Sequence, residues 1–324
     1  MAETFENYCL YGLDGVEVGV VAPSTFYTLD NGQTVINGPD GVIKLNEQTI
    51  PALTEGLQRS GSLVSGTPAE IQAVCKLLKN PETSRTTSFF LCKAENCAHI
   101  LEDINAIQSA KILLVGCGGI GSSVALLLAG SGIKNFTFID SDVIERSNLN
   151  RQLFWRKKDI GEYKVDILAR ELNDRFDGLD ILTFKKEMDF DGIVEHSDEV
   201  CYSAIVITAD NPPTLVSRSE ELASKVRIPV LSGGYLHSNC VANFFSGKDN
   251  DNILYNDELK TPWERLPDSI MPSFGPLNFN IAALLSSGVI AFIASRVFGS
   301  HRSSYIEWDA ASIPCKYVTK YYYE

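Results

Sequence analysis

At 324 residues the chain exceeds one ordinary domain, so a main domain with a smaller companion is expected. Its 44% apolar content supports a full core, and its net charge of −13 speaks against a nucleic-acid partner, whose phosphates it would repel. The 8 cysteines form no Cys-x-x-Cys pair and the start after Met1 is acidic, so reduced thiols in the cytoplasm are expected.

Residues 1–80 carry short strand-like runs, Val16–Val21, Phe26–Leu29, Thr34–Ile36 and Val42–Leu45, with the hairpin dipeptides Asn31-Gly32 and Asp40-Gly41 between them. Two helical patterns follow, Ile50–Leu57 and Pro68–Leu78. In the second, Ile71, Val74, Cys75 and Leu78 share one face. Strands followed by helices in so small a segment suggest a winged-helix-like module. Pro81–Thr87 reads as a polar linker, and Ala98–Ile107 as an entry helix. The expected domains are 1–80, a linker and entry helix over 81–104, and 105–324.

The main domain opens with Lys111–Gln152. An apolar strand, Ile112–Val115, leads into Gly116, Gly118, Gly119 and Gly121, then a helix over Ser122–Leu128 and a strand over Phe136–Ile139 that ends on Asp140. Glycines at a strand-to-helix turn let the backbone approach an anion, and the helix N-terminus favours negative charge. Asp140 is placed for a ribose hydroxyl. These residues alone leave a dinucleotide and ATP both open.

Further on come an amphipathic helix within Asp159–Phe176, strands at Ile181–Phe184 and Ala204–Thr208, and a helix from Pro212-Pro213 through Leu222. A strand at Val230-Leu231 closes on Ser232-Gly233-Gly234, and another covers Val241–Phe245. Strands alternating with helices predict a doubly wound, mostly parallel sheet with ligands at its carboxyl edge. Residues 246–272 read as a loop or lid, and Ser304–Trp308 and the region of Tyr317 as closing strands. The apolar run Ile281–Ala294 is short for a membrane span and is broken by Ser286, Ser287 and Gly288, so a core helix and no membrane partner are expected.

The residues after Asp140 favour ATP. Asn148, Arg151 and Gln152 lie just beyond the second strand, Lys164 follows on the next helix, and Asp210 ends a later strand. Arg151 and Lys164 suit triphosphate charge, and Asp210 suits magnesium, which takes carboxylate and phosphate oxygens. Asp142 would either touch the site's metal or cap its turn.

The order G-x-G-G-x-G, I-D-x-D-x-I-E-x-S-N-L-x-R-Q, G-x-x-K and a strand ending Ala209-Asp210 resembles the ubiquitin-activating-enzyme-like adenylating proteins, which include the thiamine and molybdopterin sulfur-carrier activators. The likeness is to their peptide-modifying branch, the microcin-C-type and pantocin-type enzymes, which carry a small N-terminal peptide-binding module. It implies a Rossmann-like fold, a homodimer, and activation of a carboxyl group by magnesium-ATP. It implies that Gly116, Gly118, Gly119 and Gly121 hold phosphates, Asp140 the ribose and Asp210 magnesium. Asn148, Arg151, Gln152 and Lys164 would stabilise charge at the α-phosphate. Arg85 lies near the place of an arginine that reaches the partner's ATP, although a solvated linker residue is the plainer reading.

Many members hold zinc with two Cys-x-x-Cys pairs. Here the loop after Gly247 reads KDNDNILYN and the tail holds only Cys315, so no zinc site is expected. Cys240 reads as a packed thiol, Cys117 as filler, and His237 as a surface histidine that is nonetheless the first candidate for a general base. The resulting expectation is ATP-dependent activation and cyclisation of a ribosomal precursor peptide in antibiotic-type biosynthesis. AMP transfer to a peptide C-terminus and sulfur-carrier activation are the alternatives.

Overall fold

The computed structural model describes residues 5–6, 8–12, 15–212, 214–248, 270, 272–312 and 315–321. The chain divides into two units, Met1–Ala106 with Ala294–Ser300, and Ile107–Ile293 with His301–Glu324.

The first unit contains β1 (Phe5–Glu6), β2 (Cys9–Tyr11), β3 (Glu17–Val21), β4 (Phe26–Asp30), β5 (Gln33–Gly38), β6 (Gly41–Lys44) and β7 (Leu63–Val64). They form the sheets β1-β2-β3-β7 and β4-β5-β6. Asn31 and Gly32, with φ of 50° and 81°, make the tight β4–β5 turn. Gly38 pairs with Gly41, so the next turn is Pro39-Asp40 and Gly41 already belongs to β6, one residue off the hairpin dipeptide expected.

Helix α1 (Ile50–Arg59) is capped by Thr49, and α2 (Pro68–Lys79) by a reciprocal Thr67–Glu70 box. The expected stripe of Ile71, Val74, Cys75 and Leu78 is buried. The segment read as a linker is partly helical. Helix α3 (Ser84–Leu91) buries Thr87, Phe90 and Leu91, and its polar first turn concealed it. Helix α4 (Cys97–Ser109) contains the boundary between the units. Its buried Asp103 accepts N–H groups from Arg296 and Val297 at 3.3 and 2.7 Å, which ties the short helix Ser295–Phe298 into the first unit.

The second unit begins with β8 (Lys111–Val115), α5 (Gly119–Gly130), β9 (Asn135–Ile139), α6 (Lys164–Asn173), β10 (Asp180–Phe184), α7 (Phe190–Glu199) and β11 (Ala204–Ile207). It continues with α8 (Ser219–Val226), β12 (Val230–Leu236), β13 (Asn239–Phe245), α9 (Gly275–Ile293), β14 (Ser304–Asp309) and β15 (Val318–Tyr321). One sheet runs β10-β9-β8-β11-β12-β13-β14-β15. Its members from β10 to β12 are parallel and the rest antiparallel, which is the α/β, mostly parallel architecture expected. The apolar runs of β8 and β11 are buried on both faces, as central parallel strands require. Strand order reverses between β8 and β11, and a crevice opens beyond their carboxyl ends.

Two boundaries differ from expectation. Turns occupy 214–218 and α8 starts only at Ser219, so Pro212 does not open a helix; Pro213 lies outside the described residues. Strand β12 does not stop at Ser232 but runs through Gly233 and Gly234 in register with β13. A Cβ on Gly233 would lie 2.8 Å from the Ile281 side chain, so this glycine serves the packing of α9. Most of the expected 246–272 loop also lies outside the described residues. Helix α9 covers Gly275–Ile293, and among the described residues it is the one helix long and apolar enough to cross a membrane. It buries Asn278, Ile281, Ala282, Leu285, Ser286 and Val289, and packs against α5, β12 and β13.

Candidate functional site

The crevice is a cleft of about 1610 Å³. It is lined by the glycine turn, the β9 exit, the turn before Gln152, the start of α6, the β11 exit, and β12, β14 and β15.

The glycine turn forms because two of its members tolerate no side chain. Gly116 has φ of 93°, and a Cβ there would sit 2.5 Å from the Ala209 nitrogen. A Cβ on Gly121 would collide with the Gly116 carbonyl oxygen, so Gly121 lets α5 approach the strand and does not line the cleft. Gly118 and Gly119 do line it.

At the end of β9 the Asp140 carboxylate accepts N–H groups from Cys117 at 2.6 Å and Asp142 at 2.8 Å. Burial pushes its pKa up; Lys164 and these N–H groups pull the other way without cancelling the rise. Lys164, the first residue of α6, donates from Nζ to Asp142 Oδ2 at 2.5 Å. Asp142 is thus the counter-ion of Lys164, a pairing that neither expected role had included.

A 3₁₀ turn, Arg146–Asn150, carries the next group. Buried Asn148 accepts the Glu145 N–H at 2.9 Å. Arg151 donates to the Ser147 carbonyl at 2.8 Å and to Asn150 Oδ1 at 2.9 Å. Buried Gln152 accepts from Trp155 Nε1 at 2.6 Å. Exposed Asp210 follows β11. Thus Gly116, Gly118, Gly119, Asp140, Asp142, Asn148, Arg151, Gln152, Lys164 and Asp210 all line one cleft.

Other candidates fall elsewhere. Arg85 belongs to the first unit and is exposed on α3. His237 takes φ of 58° at the β12–β13 turn and does not line the cleft. Cys240 does line it, but burial raises its pKa to about 11, which keeps a neutral, packed thiol. Cys117 is fully buried, as a filler should be.

The sequence reading missed Tyr235, Asn278, Trp308, Lys316 and Lys320, which also line the cleft. For Asn278 a signal existed: it is an amide on the otherwise apolar stripe continued by Ile281, Ala282 and Leu285.

Residues 95–317 match the family model described as ThiF family. The chain belongs to the ThiF family. This is the adenylating group that the motifs resemble. "Adenylyltransferase and sulfurtransferase uba4" of Aspergillus clavatus is 46% identical over 70 residues, 21% of this chain and 14% of that protein. The NEDD8-activating enzyme E1 catalytic subunit of Dictyostelium discoideum is 40% identical over 83 residues, 25% of this chain and 19% of that protein. The chain thus spans only a small part of these curated relatives. Among solved structures, E. coli MccB with AMPCPP and MccA aligns with a TM-score of 0.69 at 19% identity, covering 94% of this chain and 96% of that one. PaaA aligns with a TM-score of 0.67 at 18% identity, covering 93% and 99%. Both share this ThiF-family fold.

Proposed function

We propose that this ThiF-family protein is an ATP-dependent adenylating enzyme that activates a carboxyl group on a ribosomally made precursor peptide. The observation carrying the reading is the convergence of Lys164, Arg151, Asn148 and Gln152 with the glycine turn and Asp140 in one cleft. That is a donor set for phosphate beside an acceptor for ribose, and the likeness to MccB, solved with AMPCPP and MccA, supports it.

A substrate carboxylate oxygen attacks the α-phosphorus. The P–O bond to the β-phosphate breaks, and pyrophosphate leaves with that electron pair. Lys164 and Arg151 stabilise the charge that develops. A nucleophile of the same peptide then attacks the acyl carbon, releases AMP and closes a ring or condensed product. Asp210, exposed at the cleft, fits magnesium as the protein's carboxylate ligand beside nucleotide oxygens. Bound there, magnesium would offset phosphate charge. Residues 1–80 would hold the peptide, and a homodimer would let Arg85 reach the partner's nucleotide.

A second reading, activation of a ubiquitin-like sulfur carrier, draws on the identity to uba4 around the nucleotide segment. The expected absence of zinc stands against it; 249–269 lie outside the described residues.

Mass spectrometry of candidate peptides incubated with magnesium-ATP tests the reading, alongside ATP–pyrophosphate exchange. Loss of water or gain of AMP, abolished in Asp210→Ala, is the expected result. Exchange driven only by a small protein ending in Gly-Gly would establish the sulfur-carrier reading. Product formation that survives without ATP turnover would refute both.

A further inference from the structure

We infer that Asn278 is a phosphate-binding residue of the nucleotide site, held in place by Tyr235 and Ser273. The inference rests on the nucleotide reading above and adds a residue that none of the motifs contains.

Helix α9 starts against the turn that carries Arg151. The nearest atoms to a Cβ on Gly275 would be Arg151 Cα at 3.8 Å and the Asn150 carbonyl oxygen at 3.9 Å. Asn278 follows within the first turn of α9, its N–H donating to the Phe274 carbonyl at 3.2 Å. Its side chain belongs to a residue only 2% exposed, yet it lines the cleft.

The amide is oriented from one side only. Tyr235 donates its hydroxyl to Asn278 Oδ1 at 3.0 Å, and the same hydroxyl lies 2.5 Å from Ser273 Oγ. This directs the NH₂ group the other way, towards the glycine turn, where a Cβ on Gly119 would collide with Nδ2. Among the described residues, Nδ2 has no hydrogen-bond partner. Nδ2 opens on the cleft with its donor capacity unspent, so a ligand bound there can supply the acceptor.

The surroundings select the acceptor. Nδ2 lies over the first residue of α5, where backbone N–H groups collect negative charge, with Lys164 and Arg151 in the same cleft. A phosphate oxygen brings both the acceptor and the negative charge that these surroundings favour, whereas a neutral base or ribose brings the acceptor alone.

Calorimetric binding of magnesium-ATP and of adenosine to the full-length protein tests this. Asn278→Asp keeps the volume and the acceptor for Tyr235 but turns the donor into a carboxylate facing phosphate. ATP affinity should fall at least about tenfold while adenosine affinity stays within about twofold. Tyr235→Phe frees the amide to turn and should weaken ATP about threefold, again sparing adenosine. It carries the test alone if Asn278→Asp does not fold. Folded variants with the wild-type ratio of ATP to adenosine affinity would overturn the assignment. Wild-type protein that binds neither ligand would overturn the nucleotide reading and the assignment with it.

Discussion

Lys164 and Asp142 hold each other at two points: the ammonium donates to the carboxylate at 2.5 Å, and the Lys164 N–H donates to the Asp142 carbonyl at 3.0 Å. The lysine side chain is 8% exposed and the aspartate 65% exposed. Such a half-solvated pair adds little stability. What it does is aim a cation into the cleft while the nucleotide is away. Lys164→Met should therefore lower ATP–pyrophosphate exchange by about a hundredfold or more, the order seen when one transition-state donor is removed. Asp142→Asn keeps the cation and loses only its tether, so a loss of about threefold to tenfold is expected. Equal losses in the two variants would mean that Asp142 acts directly on the nucleotide or its metal.

If Asp140 holds the ribose as proposed, nucleotide binding depends on pH. Ribose hydroxyls need the ionised carboxylate as acceptor. Burial raises this pKa above its ordinary 3.8, against the pull of Lys164 and two N–H groups. Adenosine affinity is thus complete above the raised value and is lost as pH falls through it, earlier than for an ordinary carboxylate. For the stability of the free protein the sign reverses. A raised carboxyl favours folding when protonated, so that contribution is present below 3.8 and is lost as pH rises through the folded value. Adenosine titrations between about pH 7 and about pH 4 should show the decline, and Asp140→Asn should bind weakly with a flat profile.

The half of the candidate site proposed to hold phosphate and ribose was legible because its chemistry is local. A backbone cradle needs glycines at fixed offsets, and Asp140 follows on the next strand. The other half was not. Tyr235, Trp308 and Lys320 meet only because β12, β13, β14 and β15 lie side by side, and nothing near any of them in sequence announces it. Gly233-Gly234 misled for a related reason. Two glycines read as a turn, whereas at Gly233 the missing side chain makes room for Ile281 of α9, which packs on β12.

The glycines themselves separate folding from binding. At Gly121 a Cβ meets the backbone oxygen of Gly116, which cannot swing aside as a side chain would. Gly121→Ala should cost more than about 4 kcal/mol and give little folded protein, visible in thermal melts and solubility. At Gly118 the nearest atom to a Cβ is Gln152 Nε2 at 3.8 Å. Gly118→Ala should melt close to wild type while its methyl occupies space at the phosphate cradle. ATP affinity should fall about tenfold, with adenosine affected less.

Beneath the site, the turn leading into α6 depends on a buried charge. Asp159 is 2% exposed and accepts from the Arg156 N–H at 2.8 Å and from Arg170 Nη2 at 2.8 Å. Burial alone would raise its pKa, but Arg170 and the Arg156 N–H outweigh it, and the net value lies below 3.8. Removing one partner of a fully buried pair costs about 3–5 kcal/mol. The Arg170 side chain is 43% exposed, so water screens part of that interaction. A loss of about 1–2 kcal/mol is therefore expected for Arg170→Ala, or a melting temperature lower by about 5 °C. The sign with pH follows from the lowered value. The pair's contribution is present above 3.8 and is lost as pH falls through the folded pKa, because the protonated carboxyl no longer holds the guanidinium. Melting curves of wild type and Arg170→Ala should thus stand apart at neutral pH and converge in acid. A gap that stays constant across that range would mean that Arg170 stabilises the turn by packing its stem and not by its charge.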